Sequence, residues 1–305
     1  MSDHVDVDIE GRALRLSNLD KVLWPDTGFT KGQMIDYYTR VAPALVPHLA
    51  GRAITLRRWP NGVAGKSFFE KNCPSHRPNW VETVQQGDVA YCRVDEPATV
   101  VWMANLAAIE LHPTLGRAPD LDTPTAVVFD LDPGPPADAI TCAEVATLLR
   151  ELFERLGLRS WVKTSGSKGL QLYVPLNTDV TFDAARDFAL ASAKLLEQEH
   201  PRLVVTTQER AVRKGKVLID WSQNTATKTT VSVYSIRAVA APSVSTPITW
   251  DELDAARTAR DLEALRFGPD EVLARLDAQG DLLAPILTLT QRLPALPGDE
   301  ESTPP

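Results

Sequence analysis

The chain has 305 residues, 44% of them hydrophobic and 24% charged, a balance that fits a folded globular protein and excludes a disordered one. No stretch reaches the roughly 18 uninterrupted apolar residues of a membrane helix, and the opening MSDHVDVDIE has neither a basic nor an apolar leader region, so a cytoplasmic protein is expected. The formal net charge of −8 excludes indiscriminate binding to nucleic acid, but it leaves room for local cationic surfaces at Arg57-Arg58, Lys66 with Lys71, and Arg210 to Lys216.

Thr30 caps a predicted helix over 31–41, where Met34, Ile35, Tyr38 and Val41 recur at helical spacing, and Pro43 bends or restarts it. Residues 53–59 read as a strand ending at the turn Pro60-Asn61-Gly62, 89–94 as another, and 97–108 as a helix with Pro97 in its first turn. Cys73, Cys92 and Cys142 stand at unrelated spacings and are expected as plain thiols. Cys73-Pro74-Ser75-His76 has no second Cys/His pair at zinc spacing, so zinc is not expected.

The second half alternates more regularly. A β-branched strand over 125–129 precedes a helix to 156, opened by a capping box of Thr141 and Glu144. A short strand over 161–163, a Gly/Ser loop over 165–169, a strand over 170–174, a helix over 182–198 and a strand over 217–219 ending at Asp220 follow. This βαββαβ order predicts an α/β (α+β) fold, a mixed helix-covered sheet preceded by a smaller α/β unit. One catalytic domain is expected over 1–297, divided into an N-terminal unit (1–120) and a core (121–297), with an acidic disordered tail at 298–305.

In Phe129-Asp130-Leu131-Asp132-Pro133-Gly134, period-2 alternation puts both carboxylates on one strand face. Their mutual repulsion is relieved by a divalent cation, and hard oxygen ligands suit Mg²⁺ or Mn²⁺; a solvated Asp-Pro-Gly turn is the plain alternative. Asp220 closes a second apolar strand, and three carboxylates converging at strand ends are what two-metal phosphoryl transfer requires. Ser165-Gly166-Ser167-Lys168-Gly169 supplies hydroxyls, a lysine and close backbone approach for phosphates, and Arg213 and Arg237 flank the Asp220 strand where a triphosphate is clamped.

FDLDPG, TSGSKGL and VLIDWSQN, with SFFEKN and ELHP upstream, resemble the polymerase domain of bacterial ligase D and its relatives in the archaeo-eukaryotic primase superfamily. No ligase or nuclease module fits the remaining length, so the resemblance points to the stand-alone Prim-PolC type. It implies a primase-like fold with an RRM-like sheet, and a polymerase that fills short gaps in DNA repair with a preference for ribonucleotides. Its implied partners are gapped or broken DNA with a 5′-phosphate, NTP or dNTP, and an ATP-dependent DNA ligase, with the nucleoid as the place of work. By the same resemblance Asp130, Asp132 and Asp220 bind two Mn²⁺ or Mg²⁺ ions. His112, Ser165, Lys168, Gln171, Arg213 and Arg237 hold the incoming nucleotide, Lys21 and Lys31 the downstream 5′-phosphate, and Phe68 and Phe69 stack on the template. One departure stands out: Gly169-Leu170-Gln171 replaces the family's Gly-Leu-His, and glutamine cannot carry positive charge.

Three other readings use some of the same residues. A haloacid-dehalogenase-like phosphatase would employ Asp130-Leu131-Asp132 with Thr164 and Lys168 but lacks the later acidic pair. A glycosyltransferase would hold a nucleotide sugar through Asp-x-Asp. A silent DNA-end-binding module would have lost a metal carboxylate, and none is lost.

Overall fold

The computed structural model describes residues 4–294, so the expected tail at 298–305 lies outside the described residues. The hairpin of β1 (His4–Ile9) and β2 (Arg12–Ser17) turns at Glu10 and Gly11, both at positive φ, as a two-residue hairpin loop requires. β3 (Val22–Trp24) and β4 (Phe29–Thr30) lead into α1 (Lys31–Leu49). Thr30 caps this helix in a capping box with Gln33, and the helix runs on through Pro43 and Pro47 to Leu49 instead of restarting at 43. Burial of Met34, Tyr38, Val41, Leu45 and Leu49 along one face outweighs the two missing N–H donors.

β5 (Ile54–Arg58) centres a five-stranded sheet. It pairs with β6 (Phe68–Glu70), β8 (Val89–Cys92) and β9 (Ala108–Pro113), and β8 pairs with β7 (Thr83–Gln86). α2 (Pro97–Asn105) stops short of 108 because Ala107 takes a φ of 58° and Ala108 already belongs to β9. Cys73 and Cys92 form a disulfide with their Cα atoms 4.7 Å apart, and only Cys142 is a free, buried thiol. The expectation of three plain thiols is thus corrected. Chain spacing hides the pairing because the sheet creates it: Cys92 lies opposite Ile54, and Cys73 donates its N–H to the Ala90 carbonyl.

A short hairpin, β10 (Gly116–Arg117) and β11 (Asp120–Pro124), precedes the second sheet. β12 (Ala126–Pro133), α3 (Ala139–Arg155), β13 (Trp161–Thr164), β14 (Leu170–Pro175), α4 (Phe182–Glu199), β15 (Val204–Val205) and β16 (Val217–Asp220) follow in the expected order. β17 (Ile236–Arg237) pairs with β18 (Ser243–Val244), and β19 (Pro247–Ile248) completes a six-stranded sheet of order β15-β16-β12-β14-β13-β19. All its pairs are antiparallel except β15 with β16. α5 (Trp250–Ala259) and α6 (Pro269–Gln279) follow, with a 3₁₀ turn at Ala284–Leu287 after them, and no helix among the described residues is long and apolar enough to cross a membrane. The α3 capping box also differs from expectation. Asp138, not Thr141, is the cap; Thr141 stands at the third helical position and returns its hydroxyl to the Asp138 N–H.

Alternation along β12 sorts its side chains. Phe129 meets Phe153 of α3 and Phe188 of α4 at ring-centroid distances of 5.0 and 6.4 Å, so the helices roof that face and leave Asp130 and Asp132 on the other. Where β16 ends, the side chain of Asn224 takes over its role on the β12 edge. Its Oδ1 accepts from the Val128 N–H at 2.8 Å, while Nδ2 donates to the carbonyls of Val128 at 2.8 Å and Trp221 at 2.9 Å. Asn224→Ala leaves the N–H and carbonyl of Val128 without this partner and is expected to cost about 2–4 kcal/mol, toward the lower end of the roughly 1–3 kcal/mol for each group left unsatisfied. Urea unfolding checks this, and a loss below ~0.5 kcal/mol would show that water replaces the amide freely.

Candidate active site

The register of the six-stranded sheet sets Asp220 directly across from Asp130 on one side and Gln171 across from it on the other, with Lys163 opposite Gln171. Asp132 follows two residues on, so all three carboxylates share one sheet face. Burial, and then the Asp132 charge, push the Asp130 carboxyl well above its usual range, against a hydrogen bond from the Gln171 amide. Burial likewise raises Asp132, against the pull of Arg213, whose Nη2 stands 3.9 Å from Oδ2. Asp220 is turned toward its own loop: Oδ1 accepts from the Ser222 N–H at 3.0 Å and hydroxyl at 2.6 Å, and Oδ2 from the Gln223 amide at 3.0 Å. As the side chains stand, no three His, Cys, Asp or Glu groups among the described residues converge closely enough to hold a metal ion. The donor set still fits a hard divalent cation, because crowded, partly desolvated carboxylates on one face can stay ionised together when a cation joins them.

The 165–169 loop joins β13 to β14 beside this row. Ser165 is buried and closes the loop on itself, its Oγ accepting from the N–H groups of Ser167 at 3.3 Å and Gly169 at 3.1 Å. Gly169 is obligatory, since a Cβ there would run into the backbone oxygen of Leu131 on β12. Gly166, at a φ of 66°, is packed against Val244, Ser245 and Arg237, which a Cβ would meet at 2.7 to 2.8 Å. Lys168 is exposed at the tip. Gln171 keeps its Oε1 buried without a hydrogen-bond partner.

Arg237 crosses this loop, donating from Nη1 to the Ser165 carbonyl at 2.8 Å and from Nε to Glu110 Oε1 at 3.1 Å. Glu110, 2% exposed, also accepts from His112 Nε2 at 2.9 Å and the Ala238 N–H at 3.2 Å, with Arg57 Nη1 at 3.4 Å. Burial pushes this carboxyl up, but His112 and Arg237 override it and bring it to about 2. Burial in turn lowers His112, keeping the ring neutral at pH 7. Glu110 escaped the sequence reading as a functional residue, although its place two residues before His112 on one strand was a usable signal. Lys163 also escaped it. Its ammonium is fully buried on Ser245 Oγ at 2.5 Å, and burial lowers it to about 7.

The expected DNA contacts divide by strand parity. Phe69 faces the cleft, edge-on to His112 at 5.8 Å and under Arg57 at 5.0 Å. Phe68 lies on the opposite face under Arg58 at 5.3 Å, and both rings are exposed. Burial lowers Lys31 to about 8, with Lys21 and Arg58 adding to the effect, so these three cations lie near one another. The Lys21 ammonium donates to the Pro60 carbonyl at 2.7 Å, whereas the Lys31 ammonium is already shared among Ser17 O at 2.6 Å, Asn105 Oδ1 at 2.8 Å and Ser17 Oγ at 3.4 Å.

A family model described as the LigD primase-polymerase domain matches residues 30–283. Over 279 residues, 90% of this chain, it is 45% identical to the multifunctional non-homologous end joining protein LigD of Mycolicibacterium smegmatis, and over 268 residues, 88% of this chain, 31% identical to the bifunctional LigD of Bacillus subtilis. The chain spans 36% and 43% of those two relatives. Among solved structures, the polymerase domain of Mycobacterium tuberculosis ligase D in complex with DNA matches with a TM-score of 0.83 and 40% identity, over 90% of this chain and 98% of that one. The mixed sheet with flanking helices is therefore the fold expected from the motifs, and the phosphatase reading finds no support. With the carboxylate row, the glycine loop and the sheet order all falling inside the matched span, the chain belongs to the LigD primase-polymerase domain family of nucleotidyl-transferring polymerases.

Proposed function

We propose that this protein fills short gaps in broken DNA by metal-dependent, template-directed addition of nucleotides, preferring ribonucleotides, within a single catalytic domain. The observation that carries the reading is the carboxylate row beside a glycine-closed loop crossed by Arg237. Asp130, Asp132 and Asp220 would hold Mg²⁺ or Mn²⁺, and such a pair supplies activation of the attacking 3′-hydroxyl and neutralisation of the departing pyrophosphate. Asp220 would exchange its Ser222 hydrogen bond for that contact. Lys168, Arg213 and Arg237 meet the triphosphate as charged donors, Ser165 shapes the loop that receives it, and Gln171 offers its spare carbonyl oxygen and a neutral amide. Phe69 stacks on the template base beside the incoming nucleotide, while Phe68 and Arg58 extend the DNA surface toward Lys21 and Lys31. The end-joining names of the relatives and the DNA bound to the M. tuberculosis domain support break repair at the nucleoid, completed by a DNA ligase.

The deciding experiment is filling of a one-nucleotide gap with each rNTP and dNTP, in Mg²⁺ and in Mn²⁺. No addition with either metal would overturn the reading. On the same duplex, Lys21→Ala is expected to weaken binding roughly tenfold when the downstream end carries a 5′-phosphate and to leave a 5′-hydroxyl duplex unaffected, the scale of one charge-assisted hydrogen bond. Equal losses on both ends would make Lys21 a general backbone contact. Lys31→Ala should also lower stability, because it removes the ammonium shared by the part-buried acceptors of Ser17 and Asn105.

A further inference from the structure

β6 carries both exposed phenylalanines, and the disulfide sits where that strand leaves its sheet. β9 pairs with β5 along its whole length, so β6 and β8 must share the other edge of β5, β6 against Leu56 to Arg58 and β8 against Ile54. Continued by two residues, β6 would set Asn72 opposite Ile54, but Cys92 of β8 already holds that place. The chain therefore leaves the edge after Glu70 and runs beside β8. There Cys73 donates its N–H to the Ala90 carbonyl at 2.7 Å, Asn72 Oδ1 accepts from the Ala90 N–H at 3.2 Å, and Cys73 is bonded to Cys92. β6 itself is weakly held. It is three residues long and its exposed rings add no core burial; besides the ladder with β5 it has the Arg58–Glu70 ion pair at 2.8 Å and the arginine stacks on the two rings.

The two cysteines differ in access. Cys92 is 1% exposed, whereas Cys73 is only partly buried, on a segment without helix or strand. A thiolate from solvent therefore enters at Cys73. Its sulfur bonds to Cys73 Sγ, the bond to Cys92 breaks, and Cys92 leaves with the electron pair and takes a proton. A second thiolate then displaces Cys73, so two protein thiols form and the two external thiols leave as a disulfide. An external disulfide oxidises the pair by the reverse steps. In a reducing compartment, where work on chromosomal DNA would place the chain, such a cross-link is as a rule transient. We propose that Cys73–Cys92 is an exchange site for small thiols and disulfides of the glutathione class, and that it sets how firmly β6 presents Phe68 and Phe69 to the template. The oxidised form binds gapped DNA more tightly because the platform is ordered before the DNA arrives. The proposal rests on the polymerase reading for the template and on the fold alone for the exchange.

The test is the affinity for a labelled gapped duplex, read by fluorescence anisotropy without nucleotide, on the oxidised protein, after dithiothreitol, and across mixtures of glutathione and its disulfide. Reduction is expected to weaken binding on the order of fivefold, and glutathione disulfide to restore it. Cys92→Ser should bind at the reduced level in every mixture, and Cys73→Ser stands in for it if the buried substitution does not fold. Cys142→Ala should keep the full response. In Phe68→Ala/Phe69→Ala the response should vanish, because no platform is left to order. A purely structural cross-link predicts a lower melting temperature on reduction with DNA affinity unmoved, and equal affinities of the two forms overturn the proposal. So does a bond that excess glutathione leaves intact in the folded protein, or a response undiminished without the two rings. Failure of gap filling with either metal would remove the polymerase reading but leave the nucleotide-free binding response in place, so the two failures are distinguishable.

Discussion

Asp132→Ala is expected to lower nucleotide addition on a gapped, 5′-phosphorylated duplex by on the order of 10³ or more, the scale of removing one element of preorganised charge stabilisation, while DNA binding persists. The residue is well placed for such a separation. Its side chain is 49% exposed at the end of β12, so truncation opens no cavity, and its only ion pair among the described residues is the long 3.9 Å contact with Arg213. Without a cation, its removal relieves Asp130, which the Asp132 charge pushes up. Thermal stability of the metal-free protein should therefore hold or rise as activity collapses. Gel extension assays and melting curves on one preparation check both halves, and extension at more than a tenth of the wild-type rate would sink the metal assignment.

The largest effect on stability is expected at Glu110. Glu110→Ala strands Arg237, Arg57 and His112 around a buried hole and should cost about 3–5 kcal/mol, as removal of one partner of a buried pair does. The pH dependence has a definite sign. The carboxyl lies at about 2 in the folded protein against a reference of 4.5, so its contribution is complete above about 4.5 and is lost as pH falls toward 2. That depression corresponds to roughly 3 kcal/mol, an order-of-magnitude value that agrees with the range above. Denaturant unfolding from pH 7 to 3.5 should show the gap between wild type and variant narrowing only in the acid limb. A constant gap would mean that lost packing, not charge, sets the cost.

Much of this site is written in local pattern. The parity of Asp130 and Asp132, the glycines of the loop and the strand ending at Asp220 are visible because each depends on neighbours within a few residues, and β pairing then brings them together. The Glu110 cluster could not be read the same way. Its donors come from β5, β9 and β17, and Arg237 is 127 residues away in sequence. The disulfide is hidden for a related reason, since β5 is what draws Cys73 and Cys92 into reach. Smaller differences are local competitions. Asp138 and Thr141 both suit a helix cap, and Asp138 takes the place while Thr141 completes the box from the third helical position; α1 passes two prolines because its buried face is long enough to carry it.

The Asn224 amide has a meaning beyond its hydrogen bonds. A strand that slides by one residue against its neighbours presents the opposite set of side chains, and in β12 such a slip would bury Asp130 and Asp132 under the helices while lifting Phe129 and Leu131 into the cleft. A side chain that engages both the N–H and the carbonyl of Val128 is satisfied in only one phase of that strand. It acts as an error check on assembly: a misthreaded sheet would forfeit the lock before any substrate arrived, so the amide protects the chemistry without touching it.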